Sequence, residues 1–76
     1  MRELVEIIAK ELVDYPEQVV VTERETEKGL VIELKVADSD MGKVIGKQGK
    51  IANAIRAVVK AAASKTDKRV IVDILQ

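Results

Sequence analysis

The 76-residue chain contains no cysteine and no histidine. Disulfides, thiol nucleophiles, zinc-finger patterns and imidazole acid–base chemistry are therefore excluded. Phenylalanine and tryptophan are also absent, and Tyr15 is the single aromatic residue. These absences remove most templates for catalysis and leave aliphatic side chains to form the core.

The chain also lacks an apolar run long enough for a secretion signal or a membrane span. Hydrophobic residues make up 47% of the chain and charged residues 34%, a balance that favours a packed core over disorder. A chain of this length forms one domain. We therefore expect a single globular domain over residues 1–76, in the cytoplasm, with no membrane association and no small-molecule substrate.

Charge is unevenly distributed along the chain, although 13 basic and 13 acidic residues give no net charge. Residues 1–40 hold 5 basic and 11 acidic side chains, whereas residues 41–76 hold 8 basic and 2 acidic ones. This distribution favours binding of an anion to the segment 41–66. The charged residues of this segment are all basic: Lys43, Lys47, Lys50, Arg56, Lys60 and Lys65. On charge alone, a solvated basic face explains the pattern equally well.

Apolar spacing near the amino terminus predicts an amphipathic helix over residues 3–14, which must end before Pro16. The β-branched residues 19–22 and the alternating residues 30–36 predict two strands. The polar segment 26–29 lies between these strands and predicts the turn of a hairpin.

The second half of the chain begins with Asp-Ser-Asp at residues 38–40, which are favourable N-cap residues. They predict a short helix over residues 40–45, which Gly46 ends. A longer helix begins near Lys50 and carries a broad apolar face and a narrow polar one.

Asp67 and Lys68 predict a turn before a final, mostly buried strand over residues 70–75. The element order is therefore α-β-β-α-α-β. Because the two helices form a crossover between the second and third strands, these strands should run parallel in one sheet. We expect a two-layer α+β domain in which helices cover one face of a three-stranded mixed sheet.

The segment Gly46-Lys47-Gln48-Gly49 lies between the two consecutive helices. Its glycines allow another backbone to approach closely, and the helix that follows presents free N–H groups and the positive end of its dipole. Because Lys47 and Lys50 add full charges, the loop suits a phosphate group. Arg56 and Lys60, on the polar face of the long helix, would extend the path to further phosphates.

Two alternative interpretations of this loop differ in strength. An ordinary turn between helices uses glycine in the same way and is far more common than a binding loop. A nucleotide-binding P-loop is excluded, because three residues rather than four separate Gly42 from Gly46, and because Gln48 replaces the magnesium-binding hydroxyl. We expect no enzyme activity and no cofactor.

The segment Val44-Ile45-Gly46-Lys47-Gln48-Gly49-Lys50-Ile51 matches the Ile-Gly-x-x-Gly loop of the KH family. The whole chain resembles small bacterial proteins that consist of a single KH domain, including the segments Leu12-Val13-Asp14-Tyr15-Pro16 and Asp40-Met41-Gly42-Lys43-Val44. The element order is that of the type II KH fold. The resemblance implies a non-catalytic RNA-binding protein whose loop clamps the backbone of about four nucleotides of single-stranded RNA.

Carried over residue by residue, the resemblance places the clamp at residues 46–49 and implies a groove for the bases along the adjoining helices. Residues 70–72 would form a wall of this groove. Its floor would consist of apolar residues: Val44, Ile45, Ile51, Ala52 and Ile55. These residues also lie at core spacing, so packing is an alternative role. The expected RNA-binding residues combine the loop with its neighbours: Gly46, Lys47, Gln48, Gly49, Lys50, Lys43, Ile45, Asn53, Arg56 and Lys60.

The resemblance also implies partners, namely a homodimer, a heterodimer with a larger KH-containing protein, or both. The apolar arc of the long helix is broader than packing on one sheet requires: Ile51, Ala54, Ile55, Val58, Val59, Ala61, Ala62 and Ala63. Its alanines would let another backbone approach, although a core packed on both sides or high helix propensity explains them as well.

The expected function is that of an RNA chaperone or a post-transcriptional regulator. The alternative is a protein–protein adaptor that uses the KH fold as a dimerisation scaffold. Because no aromatic side chain lies near the loop in sequence, bases gain no aromatic stacking, and one domain should bind with low affinity and slight sequence preference.

Overall fold

The computed structural model describes residues 1–65 and 69–75, the side chain of Lys65 excepted. The turn predicted at Asp67 and Lys68 lies outside the described residues. Within them, helices and strands follow in the predicted order, which is confirmed: α1 Arg2–Leu12, β1 Val20–Thr26, β2 Gly29–Lys35, α2 Met41–Ile45, α3 Lys50–Ala62 and β3 Val70–Leu75. Short 3-10 turns precede β1, α2 and α3 and follow α3: Pro16–Gln18, Asp38–Asp40, Lys47–Gly49 and Ala63–Lys65.

The strands form one sheet in the order β1-β2-β3. β1 and β2 are antiparallel, with Val20 opposite Lys35, which confirms the predicted hairpin. β2 and β3 are parallel, with Leu30 opposite Val70. The sheet is therefore mixed, as the crossover connection predicts, and β3 forms its edge on the side away from β1.

One face of the sheet packs against the helices. Ile32 and Leu34 of β2 are fully buried there, and residues from α1, α2, α3 and β3 complete the core: Val5, Ala9, Val44, Ile55, Val59 and Val72. The opposite face carries the residues that alternate with these, such as Thr22 and Asp73, and both of these are exposed. The prediction that helices cover one face is confirmed.

The exit of α1 differs from the prediction, because the helix ends at Leu12 rather than at residue 14. Val13 is already extended, and the backbone N–H groups of Asp14 and Tyr15 donate to the carboxylate of Asp40 at 3.1 and 3.0 Å. A distant acidic residue therefore takes over the N–H groups that a longer helix would have used.

The first strand is longer than predicted, because β1 begins at Val20 and reaches Thr26 instead of ending at residue 22. Its exposed second half pairs with β2 through the backbone as far as Thr26 opposite Gly29. Backbone pairing needs no apolar side chains, so the charged residues 23–25 carry no strand signal in the sequence.

The final strand is less buried than predicted. Within β3, Val72 is buried, Asp73 is exposed, and the other residues are half-buried. A strand at the sheet edge with one uncovered face cannot hide both sets of side chains. The near-continuous apolar run of β3 therefore does not mark an interior strand.

Asp40 occupies the N-cap position of α2, as predicted, but its side chain does not cap the helix. Neither the 3-10 turn Asp38–Asp40 nor α2 has a side-chain hydrogen bond at its amino end. Asp40 is completely buried, and its carboxylate holds the exit of α1 instead. No helix among residues 1–65 is long and apolar enough to cross a membrane.

Candidate nucleic-acid interface

Gly46 ends α2 and opens the glycine loop, which we define as residues 46–49. Its N–H donates to the carbonyl of Gly42 at 2.9 Å, and its backbone then turns to φ 75° and ψ 173°. A Cβ atom at Gly46 would lie 2.6 Å from Cγ1 of Ile51 and 2.9 Å from its backbone nitrogen. Conformation and space therefore both require glycine at this position.

The middle of the glycine loop has an unusual backbone. Gln48 has φ 59° and ψ 24°, and it is the non-glycine residue with positive φ in the described part of the chain. Gly49 follows with φ 76° and ψ 14°, and its N–H donates to the carbonyl of Gly46 at 3.2 Å. For a non-glycine residue such as Gln48, this conformation costs about 1 kcal/mol or more, and such residues cluster at functional sites.

The outer side of the loop is open. A Cβ atom built on Gly49 would have as its nearest neighbour the side-chain nitrogen of Asn53, at 3.9 Å. Lys47, Gln48 and Lys50 are exposed. The N–H groups in the first turn of a helix have no partner within that helix. No side chain caps those of α3, and the N–H of Lys50 donates to the carbonyl of Lys47 in the preceding 3-10 turn.

The electrostatics of this opening favour an anion. The dipole of the 13-residue helix α3 places partial positive charge at its amino end. Lys47 and Lys50 add full charges, and neither forms an ion pair within the described residues. The arrangement can hold a phosphate group by backbone N–H groups and ammonium groups together.

The apolar residues expected in the groove floor divide into two groups. Val44, Ala52 and Ile55 are buried in the core, so the packing role applies to them. Ile45 and Ile51 are half-buried and lie on either side of the glycine loop. Of the five, these two retain surface that a ligand could touch.

A second concave surface lies between α3 and β3, and we call it the α3–β3 groove. It has a volume of about 490 Å³ and is lined by residues of both elements and their connection: Arg56, Lys60, Ala63, Ser64, Arg69, Val70, Ile71 and Val72. Among these described lining residues three side chains are cationic and none is acidic. The predicted wall at residues 70–72 lies in this groove.

Hydrogen bonds fix two polar side chains in the groove. Nε of Arg56 donates to the backbone carbonyl of Val72 at 3.2 Å, which links α3 directly to the edge strand. The hydroxyl of Ser64 donates to the carbonyl of Ala61 at 2.8 Å. The polar face of a helix would suggest that Arg56 points freely into solvent. Its side chain is instead bonded to β3.

Lys43 has different surroundings from the other basic residues of the predicted set. Its ammonium group donates to the carboxylate of Asp14 and lies 3.7 Å from the carboxylate of Asp40. The hydrogen bond with Asp14 raises the pKa of Lys43 above its ordinary value. We call Asp14, Asp40 and Lys43 the Asp40 cluster.

The structure thus distributes the predicted residues over three places. Asn53 adjoins the glycine loop, Arg56 and Lys60 line the α3–β3 groove, and Lys43 belongs to the Asp40 cluster. Sequence reasoning missed Arg69, which also lines the groove. The short stretch of sequence between the long helix and the final strand would have placed Arg69, directly before that strand, beside the carboxyl-terminal half of the helix.

The fold and this site define a class of protein. A chain of order α-β-β-α-α-β, with a Gly-x-x-Gly loop between two helices beside the edge strand of a mixed three-stranded sheet, is a KH domain of type II topology.

Comparison with known proteins specifies the family. A family model described as KhpA/KhpB, KH domain, matches residues 2–74. The RNA-binding protein KhpA of Clostridium perfringens is 64% identical over 75 residues, which cover 99% of this chain and 100% of that protein. The RNA-binding protein KhpA of Clostridium acetobutylicum is 60% identical over 75 residues, which cover 99% of this chain and 100% of that protein. The RNA-binding protein KhpA of Listeria monocytogenes is 51% identical over 100% of both chains.

The chain belongs to the KhpA/KhpB family of KH domains. This confirms the resemblance drawn from the glycine loop and its flanking segments. It also agrees with the prediction of a binding protein rather than an enzyme.

Proposed function

We propose that the chain is a non-catalytic RNA-binding protein that holds the backbone of single-stranded RNA at residues 46–50. The adjoining bases lie beside Ile45 and Asn53 and in the α3–β3 groove, where Arg56 and Lys60 contact the strand. Relatives that share 51–64% of their residues with this chain are named as RNA-binding proteins. Lys43 supports α2 instead, because its ammonium group pairs with Asp14 and Asp40.

The open backbone of the glycine loop is the observation that carries this proposal. A polynucleotide needs a place where its phosphates approach the main chain without steric hindrance, and the outer side of Gly49 offers one. Nearby charge then compensates the phosphate, because Lys47 and Lys50 are exposed and unpaired within the described residues. Binding of this kind releases counterions and weakens with salt.

The doubly substituted variant Lys47→Asp/Gln48→Asp tests the loop. We expect affinity for a mixed pool of single-stranded RNA to fall at least tenfold, because two acidic side chains would face the phosphates. The matched control is Lys35→Asp/Gln18→Asp, which changes net charge equally at exposed positions outside the loop and the groove. Equal affinity of the loop variant and this control, with both proteins folded, would rule out the loop as the clamp.

We further propose that two copies associate through an uncovered apolar stripe on α3. Ala54, Ala57, Val58 and Ala61 share one side of the helix and are exposed, and Val58 is 46% exposed. For these residues the alternative of a core packed on both sides does not hold. A larger KH-containing protein would use the same stripe, and two linked RNA sites would raise the apparent affinity.

Sedimentation equilibrium of Val58→Glu tests this interface. We expect the wild-type chain to be dimeric and the variant monomeric, because a charge would be buried at the contact. Val20→Glu is the matched control, since Val20 is 52% exposed on the uncovered face of the sheet. A monomeric wild type, or an identical effect of both substitutions, would contradict the interface.

The cellular role that we propose is that of an RNA chaperone or post-transcriptional regulator in the cytoplasm. The exposed stripe on α3 also supports a second candidate, a protein–protein adaptor for which RNA is incidental. A pull-down distinguishes the two roles. If partners are retained after nuclease treatment and by the loop variant, the adaptor is favoured, whereas RNA-dependent partners support the regulator.

A further inference from the structure

α2 is the shorter of the two helices that flank the glycine loop, and few side chains fix its position. It has five residues, too few for a helix that is stable by itself. Among these residues, all of which the structure describes, Val44 alone is buried and Met41 and Ile45 are half-buried. α3, by contrast, buries three side chains. The position of the glycine loop therefore depends on what else holds α2.

Asp40 supplies a polar anchor at the beginning of α2. Its carboxylate is completely buried, and its two oxygens accept the backbone N–H groups of Asp14 and Tyr15 at 3.1 and 3.0 Å. The ammonium group of Lys43 lies 3.7 Å from the same carboxylate. Hydrogen bonds to an ionised group are the strong ones, so these contacts attach α2 firmly to the exit of α1. α1 is itself anchored in the core by Val5.

The backbone continues this attachment from α2 into the glycine loop. The N–H of Gly46 donates to the carbonyl of Gly42 within α2 at 2.9 Å, and the N–H of Gly49 donates to the carbonyl of Gly46 at 3.2 Å. Ile51 of α3 fills the space beside Gly46, so the loop has little room to adjust when α2 moves. A shift of α2 relative to α3 therefore changes the opening in which a phosphate would lie.

We propose that Asp40 is a positioning residue for RNA binding, because its buried carboxylate fixes α2 and thereby the glycine loop. The inference rests on the proposed binding of single-stranded RNA at that loop. Without this anchor α2 takes up several positions, and only some of the molecules present the loop in the form that binds RNA. The apparent affinity falls in proportion to that fraction.

The direction of the expected effect distinguishes positioning from electrostatics. Asp40→Asn keeps the shape of the side chain and removes a negative charge, and loss of an acidic group by itself strengthens the attraction of a protein for a polyanion. The amide, however, has a single acceptor oxygen for the N–H groups of Asp14 and Tyr15. We expect Asp40→Asn to bind octauridylate about fivefold more weakly, which corresponds to about one competent molecule in five.

Fluorescence anisotropy with labelled octauridylate measures the dissociation constant at several salt concentrations. Because the competent molecules keep all phosphate contacts, Asp40→Asn should show the same salt dependence as the wild-type chain, whereas Lys47→Met should reduce the log–log slope by about 0.7. Asp38→Asn is the matched control for charge, since Asp38 is exposed on the same turn. It should not weaken binding.

Val21→Ala is the matched control for stability. Val21 is buried in β1, and its truncation lowers the thermal midpoint without changing the contacts of Asp40. At a temperature at which the amide spectra show both variants to be folded, Val21→Ala should bind octauridylate as the wild-type chain does. An equal loss of affinity in Val21→Ala would make Asp40 an ordinary core residue and overturn its positioning role.

Hydrogen exchange in the wild-type chain tests the same inference without a variant. Because coupling between two sites is reciprocal, saturating octauridylate should slow the exchange of the Asp14 and Tyr15 amides by the same factor, about fivefold. The Val19 amide donates to the carbonyl of Pro16 in the next turn, outside the contacts of Asp40, and should be slowed less. If Asp40→Asn does not fold, this measurement decides.

The outcomes separate this inference from the proposed function. Unweakened binding by folded Asp40→Asn, or exchange of the two amides that RNA slows no more than that of Val19, overturns the role of Asp40 while RNA binding stands. Failure of the wild-type chain to bind octauridylate, or binding that ignores Lys47→Asp/Gln48→Asp, overturns both.

Discussion

α2 connects two regions of opposite electrostatic character. The Asp40 cluster joins its beginning to the exit of α1, and there Lys43 is surrounded by two carboxylates. The glycine loop follows its end, where Lys47 has no acidic neighbour paired with it in the described part of the chain. The comparison teaches that a basic segment does not present all of its charge to a ligand, because part of it neutralises the protein's own acids.

The largest effect should come from breaking the Asp40 cluster with Asp40→Ala. The buried carboxylate accepts the N–H groups of Asp14 and Tyr15 and pairs with Lys43, so its removal leaves several groups unsatisfied. We expect the free energy of unfolding to fall by about 3 kcal/mol, measured by urea denaturation. Asp38→Ala is the control on the same turn, and because Asp38 is exposed it should change stability by less than about 0.5 kcal/mol. Similar effects of the two substitutions would show that Asp40 does not hold the exit of α1.

A smaller loss should follow Gly46→Ala, which acts on the other side of the comparison. The added Cβ would overlap Ile51 in a conformation that disfavours alanine, and we expect about 2 kcal/mol of destabilisation together with weaker RNA binding. Gly42 lies in α2, the helix that Gly46 ends, and a Cβ added there would have none of the heavy atoms around the helix within 4 Å. Gly42→Ala should stabilise the chain by about 0.5 kcal/mol. If both variants unfold at the same urea concentration, the loop does not depend on Gly46.

The two lysines can be compared directly through Lys47→Met and Lys43→Met, which remove equal charge. Loss of one phosphate contact in about 0.15 M salt should weaken RNA binding by about fourfold in Lys47→Met. Lys43→Met should bind RNA nearly as the wild-type chain does, because its ammonium already serves Asp14 and Asp40. Fluorescence anisotropy with a labelled octamer measures both. If RNA affinity falls more in Lys43→Met than in Lys47→Met, Lys43 is part of the RNA-binding surface.

The smallest effect concerns pH. The hydrogen bond to Asp14 raises the pKa of Lys43 above 10.5, so the ion pair contributes stability below that pH and loses it as pH rises through the raised value. Thermal midpoints measured on the alkaline side should therefore fall less steeply for Lys43→Met than for the wild-type chain. Lys35→Met, in which an exposed lysine outside the cluster is removed, should follow the wild-type slope. Identical slopes for Lys43→Met and Lys35→Met would show that the ion pair has no influence on stability.

Much of the fold follows from local patterns in the sequence. Apolar spacing marks α1 and α3, alternation marks β2, and the crossover rule gives the parallel pairing of β2 with β3. The glycine loop is also visible, because two glycines between two helices require a backbone that other residues avoid. These features depend on short stretches of chain.

The features that the sequence did not predict depend on contacts between distant residues. Asp40 looks like a helix cap, yet its partners lie 25 and 26 residues earlier in the chain. Arg56 looks like a solvated helix residue, yet it bonds to a strand 16 residues later. No local pattern distinguishes these roles, because the choice between water and a remote backbone group depends on how the elements pack.

The most direct test of the account is NMR chemical-shift mapping of the wild-type chain with octauridylate. We predict that the largest changes occur at the amides of residues 46–51, with smaller changes at Val72 and along the groove side of α3. If the amides of residues 46–51 stay unchanged while the uncovered face of β1 and β2 responds, the glycine loop is not where the RNA backbone lies.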